Sequence, residues 1–392
     1  MSYLDKLLEG VEVEWKPLGE VSSVLRGRRL TRQVLSPENK FPVFHGGLEP
    51  LGYYTDFNRP ANSVMIINVG ASAGTVGYSS LDFWSSDGTY CIEHSNMLSD
   101  KFLYYYLVGQ QHFLKSKVRV AGIPTLDAFV VEKLLIPIPC PNNPEKSLSI
   151  QKEIVRILDT FTELTAELTA ELTARKKQYE YYREQLFNFE EGEVECKTLS
   201  EVGEFQRGKR FVKDDMIPEG IPCIHYGEMY THYGTWADNS KSFLSEELVE
   251  RKKLRIAKNG DIVIVAAGET IEDIGKGTAW LSNAGVVIHD ACFSYRSELN
   301  PKYLAYYTRT KHFHDQIKKH VSSGKISAIN ANGLGKVLIP IPSPEEQQRI
   351  VDILDKFDTL TTSITEGLPK EIELRKKQYE YYRDMLLSFP KK

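Results

Sequence analysis

The stretch RKKQYEYYR at residues 175–183 returns letter for letter at residues 375–383. Each copy closes a long run in which apolar residues recur every three or four positions, the spacing of an amphipathic helix. Working outward, IVRILD (154–159) is matched by IVDILD (350–355), and KLLIPIP (133–139) by KVLIPIP (336–342). Near the start of each half, Glu14, Lys16, Leu18, Glu20 and Val21 are matched in order by Glu195, Lys197, Leu199, Glu201 and Val202. LRGRR (25–29) then answers QRGKR (206–210). A period of about 200 residues is too long for a solenoid unit and predicts two copies of a globular domain, each followed by a helix.

The first helical run, 150–189, contains neither Gly nor Pro. Its predicted seam includes Phe161, Leu164, Leu168, Leu172, Tyr179 and Tyr182, with the three-four spacing of a coiled coil. At about 1.5 Å per residue it makes a rod of roughly 60 Å, a natural spacer. The second run repeats the seam with Phe357, Leu360, Ile364, Tyr379 and Tyr382, but Gly367 and Pro369 interrupt it and predict a kink or break. A lone helix of this length cannot bury its stripe, so the two are expected to pack antiparallel, with the globular copies at opposite ends. The fold class expected is α+β and pseudo-two-fold: a segment at 1–13 docking on the second helix, globular regions at 14–146 and 195–344, and helical spacers at 147–194 and 345–392. Within the first helix the unit TAEL stands in tandem at 165–168 and 169–172. Each unit adds about 6 Å and rotates the helix end by roughly 40°.

Composition places the chain among globular proteins, with 41% hydrophobic and 26% charged residues and no apolar run long enough to span a bilayer. The N-terminus lacks the order of a signal peptide, so the cytoplasm is the expected compartment. Cys91, Cys140, Cys196, Cys223 and Cys292 show no CxxC spacing, which suits reduced packing residues.

The net charge of −4 does not by itself suggest a polyanion partner, but its distribution is uneven. Lys and Arg outnumber Asp and Glu slightly in both globular regions, 13 to 12 and 20 to 18, and the helices carry the acidic excess. Arg26, Arg28, Arg29 and Arg32 cluster beside Gly27; Arg207, Lys209 and Arg210 cluster beside Gly208 at the matching place. A second pair of clusters, Lys115, Lys117 and Arg119 in one half and Lys318, Lys319 and Lys325 in the other, flanks a Gly-containing loop just before each LIPIP segment. Basic turns of this kind suit phosphate contacts, and their recurrence at equivalent places favours DNA binding over a merely solvated face.

Catalytic constellations are missing. GKGT at 275–278 lacks the spacing of a phosphate-binding loop, and the ExK pairs Glu14 with Lys16 and Glu195 with Lys197 have no placed Asp to make a nuclease. His312 and His314, spaced HxH with only Asp315 beside them, read as solvated or packing histidines in preference to metal ligands, and His289 beside Asp290 comes with no nucleophile motif. No Asn-Pro-Pro-Tyr type tetrapeptide of an amino-methylating DNA methyltransferase occurs. Binding without chemistry is the reading that follows.

The whole chain resembles the specificity (S) subunit of type I restriction-modification systems. The carriers are the duplicated LIPIP segment leading into SIQKEIVRILDTF (149–161) and EEQQRIVDILDKF (345–357), the two RKKQYEYYR strings and the tandem TAEL. The Gly-Pro interruption of the second helix departs from a continuous rod. The resemblance implies target recognition domains that each read one half of a split, asymmetric double-stranded DNA site, with the paired helices as ruler between the halves. It implies two modification subunits that methylate adenine from S-adenosylmethionine, two restriction subunits that use ATP and Mg, no cofactor on this chain, no membrane, and a role in defence against foreign DNA. Two other readings stay open: a coiled-coil scaffold with protein- or glycan-binding ends, and a self-contained DNA endonuclease or methyltransferase.

Overall fold

Each half begins and ends on the same two-stranded antiparallel ladder. In a computed structural model describing residues 10–268, 270–322, 324 and 326–389, Val13–Pro17 pairs with Leu135–Pro139, and Glu195–Thr198 pairs with Leu338–Ile341. These are the LIPIP segments. Their prolines cannot donate to a ladder, and a two-stranded ribbon, all edge, is where a strand tolerates that loss. The ladders continue alike, Leu18 donating its N–H to the Leu134 carbonyl at 2.8 Å and Leu199 to Val337 at 2.9 Å.

The chain divides into two compact units. Unit 1 holds the residues up to Thr169 together with those from Glu371 on, and unit 2 runs from Ala170 to Lys370. Unit 1 carries a four-stranded sheet in the order Val24–Arg26, Thr89–Ile92, Ser63–Ile67, Val76–Ser79, and a three-stranded sheet in the order Gly52–Tyr54, Phe41–Phe44, Trp84–Ser85. Unit 2 carries a five-stranded sheet ordered Gly203–Arg207, Cys292–Ser297, Ile262–Val265, Gly277–Trp280, Trp236–Ala237, and a four-stranded sheet ordered Ser242–Leu244, Ile221–Ile224, Val286–Ile288, Ile256–Ala257. The apolar runs SVMII and IVIV are wholly buried central strands. Burial on both faces removes any need for polar alternation in these segments. With the helices described next, the mixed α and β class is as expected.

The first helix runs unbroken over Pro144–Leu186. Phe161, Leu164, Leu168 and Leu172 are half-buried while most residues between them are exposed, so the seam lies where the spacing predicted. Along the short helix Asp100–Gly109, Ser99 donates to Gln151 at 2.7 Å and Tyr105 to Asp159 at 2.6 Å, whereas Phe102 faces Phe389 and Tyr105 faces Tyr379. Residue numbers therefore rise along one helix and fall along the other: within unit 1 the two long helices run antiparallel. Phe161 stacks on Tyr382 with centroids 5.1 Å apart; in unit 2, Phe357 stacks on both Tyr179 and Tyr182.

The second helical run is two helices, Pro344–Thr362 and Gly367–Leu387. The predicted interruption exists, but it falls just before Gly367, which opens the new helix at φ +79°. Pro369 then sits in the first turn, where its missing N–H forfeits no intrahelical bond. Ile364, expected in the seam, is instead 78% exposed, because residues 363–366 leave the helix. Leu360 is half-buried, and Leu368 and Ile372 are buried.

A polar network repeats at each helix root. Lys101 and Tyr105 converge on the Asp159 carboxylate at 2.7 and 2.6 Å, and Lys302 and Tyr306 on Asp355 at the same two distances. Gln151 and Gln347, both buried, accept from Ser99 and Asn300 respectively. Buried amides are tolerable only when so satisfied, and these register helix against domain. Among the described residues no helix is long and apolar enough to cross a membrane.

Candidate nucleic-acid interface

The two Arg-Gly turns are built identically. After strand Val24–Arg26, Gly27 donates its N–H to the Thr89 carbonyl at 3.1 Å and Arg28 to Ser85 at 2.8 Å; after strand Gly203–Arg207, Gly208 donates to Cys292 at 3.0 Å and Lys209 to Ile288 at 3.2 Å. A Cβ on Gly27 would lie 2.0 Å from the Ser86 carbonyl oxygen, and one on Gly208 2.1 Å from that of His289. Only glycine fits so close a backbone approach. The turn thus throws Arg26, Arg28, Arg29 and Arg32 outward in unit 1, all exposed and none in an ion pair among the described residues.

The second basic clusters border short hairpins that return to the same end of each unit. In unit 1 Arg119 and Thr125 exchange backbone hydrogen bonds and Gly70 donates to the Pro124 carbonyl; in unit 2 Ser322 and Ala328 exchange theirs and Ile329 donates to Ala266. Strand Ala267–Gly268 pairs with Ser327–Ala328, and Ala266 in turn donates to Ala291, beside the Gly208 turn. In unit 1 Leu126 likewise donates to Asn68 and Asn68 to Gly88, beside the Gly27 turn, so in each unit the backbone just after the second cluster is tied to the segment flanking the Arg-Gly turn.

Individual residues differ in availability. Lys115, Lys117 and Lys319 are exposed, Lys117 lying over the Phe113 ring. Arg119 is bound to Asp127 at 2.7 Å and Lys318 to Asp315 at 3.2 Å. Arg207 donates to the Asp290 carbonyl at 2.9 Å and Lys209 to that of Lys252 at 3.4 Å, so both brace the turn, while Arg210 is exposed. Lys325 lies outside the described residues.

Between the turn and the hairpin of unit 2 opens a cleft of about 720 Å³, with Arg210 and Lys213 at its rim and His225, Tyr226 and His289 in its wall. The three rings pack at 4.6 to 5.1 Å between centroids. Burial pushes both histidines below their ordinary value; for His289 the opposing pull of Asp290 is the lesser effect.

Strand register identifies the equivalent positions of unit 1. Phe44 pairs with Ser85 in a parallel bridge, as Ile224 does with Ile288. Ser86 donates to the Phe44 carbonyl as His289 does to Ile224. His225 therefore answers His45, Tyr226 answers Gly46, and His289 answers Ser86. The frame matches where the letters do not: FPVFHGG (41–47) and IPCIHYG (221–227) carry one turn, though their sequences share only proline, histidine and glycine. One role changes hands. The N–H of Gly88 is accepted by His45 Nδ1 at 3.2 Å, whereas the N–H of its counterpart Ala291 is accepted by His289 Nδ1 at 3.1 Å. Sequence reasoning missed these rings because the signal, a Pro-x-x-His turn, becomes visible only once the strands are aligned.

The motifs set aside as non-catalytic have local uses. Glu14 pairs with Lys16 at 3.2 Å and Glu195 with Lys197 at 3.1 Å on the terminal ladders. Lys276 of GKGT pairs with Asp273 at 2.7 Å before the strand Gly277–Trp280. His314 is half-buried, with its pKa pushed down to about 4. All five cysteines are free; burial pushes the Cys223 and Cys292 thiols up to about 12.

Residues 10–175 and 191–374 match the family model for the type I restriction modification DNA specificity domain. The chain is 38% identical to the specificity subunit of the type I restriction enzyme EcoR124I/EcoR124II of Escherichia coli, over 100% of this chain and 98% of that one. It is 36% identical to a putative type I specificity subunit of Haemophilus influenzae, over 99% and 98%. Among solved structures, the type I S subunit from M. genitalium superposes with a TM-score of 0.58 at 19% identity over the full length of both chains. A chain from a study of complex assembly in the type I restriction-modification system superposes with 0.63 at 17% identity, over 96% and 97%. Two copies of the domain, matched along the whole length, make this chain a member of the type I restriction-modification specificity subunit family.

Proposed function

We propose that this chain is a non-catalytic, cytoplasmic subunit that addresses a restriction-modification complex to a split, asymmetric double-stranded DNA site. Residues 14–146 read one half of the site and residues 195–344 the other; the helical stretches 147–194 and 345–392 set the spacing between them. The observation that carries this reading is the pair of equivalent turns, Gly27 and Gly208, on one backbone frame that bears Gly46 and Ser86 in one unit and Tyr226 and His289 in the other. A frame kept constant while its side chains differ is what two half-sites of different sequence require.

The adenine methylation belongs to two modification subunits that bind S-adenosylmethionine, and restriction to two motor-endonuclease subunits that use ATP and Mg. Tyr181 and Tyr381, the same letter of the repeated string, are 60% and 65% exposed, which supports a pair of equivalent docking faces for two copies of one partner. The segment 1–13 closes on the second helix in this reading; residues 1–9 lie outside the described residues, while Val11 packs in the cluster that holds Leu386, Leu387 and Phe389.

The test is co-expression with a cognate modification subunit and genome-wide mapping of N6-methyladenine. A two-part asymmetric motif that disappears when this chain is omitted is the expected result. No methylation from a stable purified complex would sink the reading.

A further inference from the structure

The geometry points to the unit 2 cleft as a base-reading pocket, in which His225 donates a hydrogen bond from Nε2 to an acceptor on the major-groove edge of one base of the second half-site. Purine N7, guanine O6 and thymine O4 are the acceptors available there. The inference rests on the proposed DNA addressing and assigns it a residue.

His225 is 5% exposed, yet it lines the cleft, and its Nε2 has no hydrogen-bond partner among the described residues. The tautomer is set by the other nitrogen. Nδ1 accepts the Gly227 N–H at 3.3 Å, so in the neutral ring the proton resides on Nε2 and the ring offers a donor to the cleft. Burial keeps the ring neutral. Its position is held from behind, because the Glu228 carboxylate accepts the backbone N–H of His225 at 2.9 Å and also the Ser242 hydroxyl, and Glu228 is itself buried.

The exchange of roles between the units gives Nδ1 of the two equivalent histidines different partners, Gly88 for His45 and the nearby Gly227 for His225. In unit 1 the equivalent His45 is occupied by the N–H of Gly88; in unit 2 His289 has taken over that bond. Tyr226, half-buried against both imidazoles, supplies a flat wall where unit 1 has Gly46, and Arg210 and Lys213 at the rim can meet phosphate. A buried donor left unmade is costly, so a base lacking the acceptor is rejected, by about 1–3 kcal/mol for a good contact, or roughly 5- to 150-fold.

The experiment is methylation mapping with His225→Leu and His225→Gln complexes beside the natural chain. His225→Leu is expected to relax one base pair of the second half-site, sites with the wrong base there rising by at least about fivefold relative to the right one. The first half-site and the spacer stay as they were, and His225→Gln, which keeps an N–H donor, restores most of the preference. Should the His225→Leu chain fail to assemble, Tyr226→Gly decides the matter, since it installs the unit 1 residue at a half-exposed position and is expected to relax the same or an adjoining base pair. A second half-site unchanged in the assembling variants, or a change confined to the first half-site, overturns the inference. Absence of any two-part motif with the natural chain would instead overturn the DNA addressing on which it rests.

Discussion

Tyr306 donates its phenolic hydrogen to the Asp355 carboxylate at 2.6 Å, and Tyr105 does the same to Asp159 at 2.6 Å, each beside a lysine that reaches the other oxygen. The aspartates come from the duplicated IVRILD and IVDILD segments, and they tie a helix of each globular part to a long helix. Asp355→Ala strips a partner from both Lys302 and Tyr306 and is expected to destabilise unit 2 by about 1–3 kcal/mol in denaturant melts. Tyr306→Phe leaves the lysine pair in place and should cost less. Equal losses from the two variants would contradict this division.

Gly208→Ala places a methyl group 2.1 Å from the His289 carbonyl and 2.4 Å from that of Ile288, neither of which is a movable side chain. The turn must shift, and with it Arg210 and the cleft. We expect binding to duplexes carrying the second half-site to fall at least tenfold, with assembly with partners retained. Gly47→Ala, which meets nothing within 4 Å, serves as the neutral control.

Arg26 and Arg28 are exposed and free of ion pairs among the described residues. If each meets one phosphate, the double change Arg26→Ala with Arg28→Ala lowers the slope of log K against log salt by about 1.8. Lys318→Ala removes a side chain already paired with Asp315 and should move the slope less. Titration at three salt concentrations separates the two; an unaltered slope in the double variant removes these arginines from the phosphate contacts.

Deleting residues 169–172, one TAEL unit of the unbroken helix, shortens it by about 6 Å and rotates its end by roughly 40°. Methylation mapping should return both half-sites unchanged with a spacer shorter by about one to two base pairs, at roughly 3.4 Å per step. An unchanged spacer would remove the helix from any measuring role.

His314 is kept neutral chiefly by burial and secondarily by Lys276, Arg183 and Lys318, which push its pKa from 6.5 down to about 4. Its folded value lies below its unfolded one, so the unfolded chain takes up a proton first as the pH falls. The stability contributed is full above about pH 6.5 and is lost progressively between there and about pH 4. Thermal melts of His314→Gln should show a shallower decline across that window; parallel curves would count against it.

The repeat, the helical periodicity and the glycine-centred basic turns are local properties of the chain, and the amino-acid sequence by itself determined them. A three-four spacing over 40 residues admits one structure, and a glycine recurring at the same place in two copies marks a backbone approach that no other residue allows. The α+β class and the seam through Phe161, Leu164, Leu168 and Leu172 were legible for that reason. Tertiary structure decided the rest. Ile364 satisfies the seam spacing but leaves it, because the helix break falls at 363–366, before the Gly-Pro pair that signals it. Arg119 and Arg207 read as free cations but are engaged by Asp127 and by the Asp290 carbonyl. The exchange between His45 and His289 lies furthest from the sequence, since it depends on which strands pair, with what register, across 41 residues in one unit and 64 in the other. His45 and Gly88, 43 residues apart, meet only through the register of the folded sheet, and only that register shows that the local bond between His289 and Ala291 stands in their place.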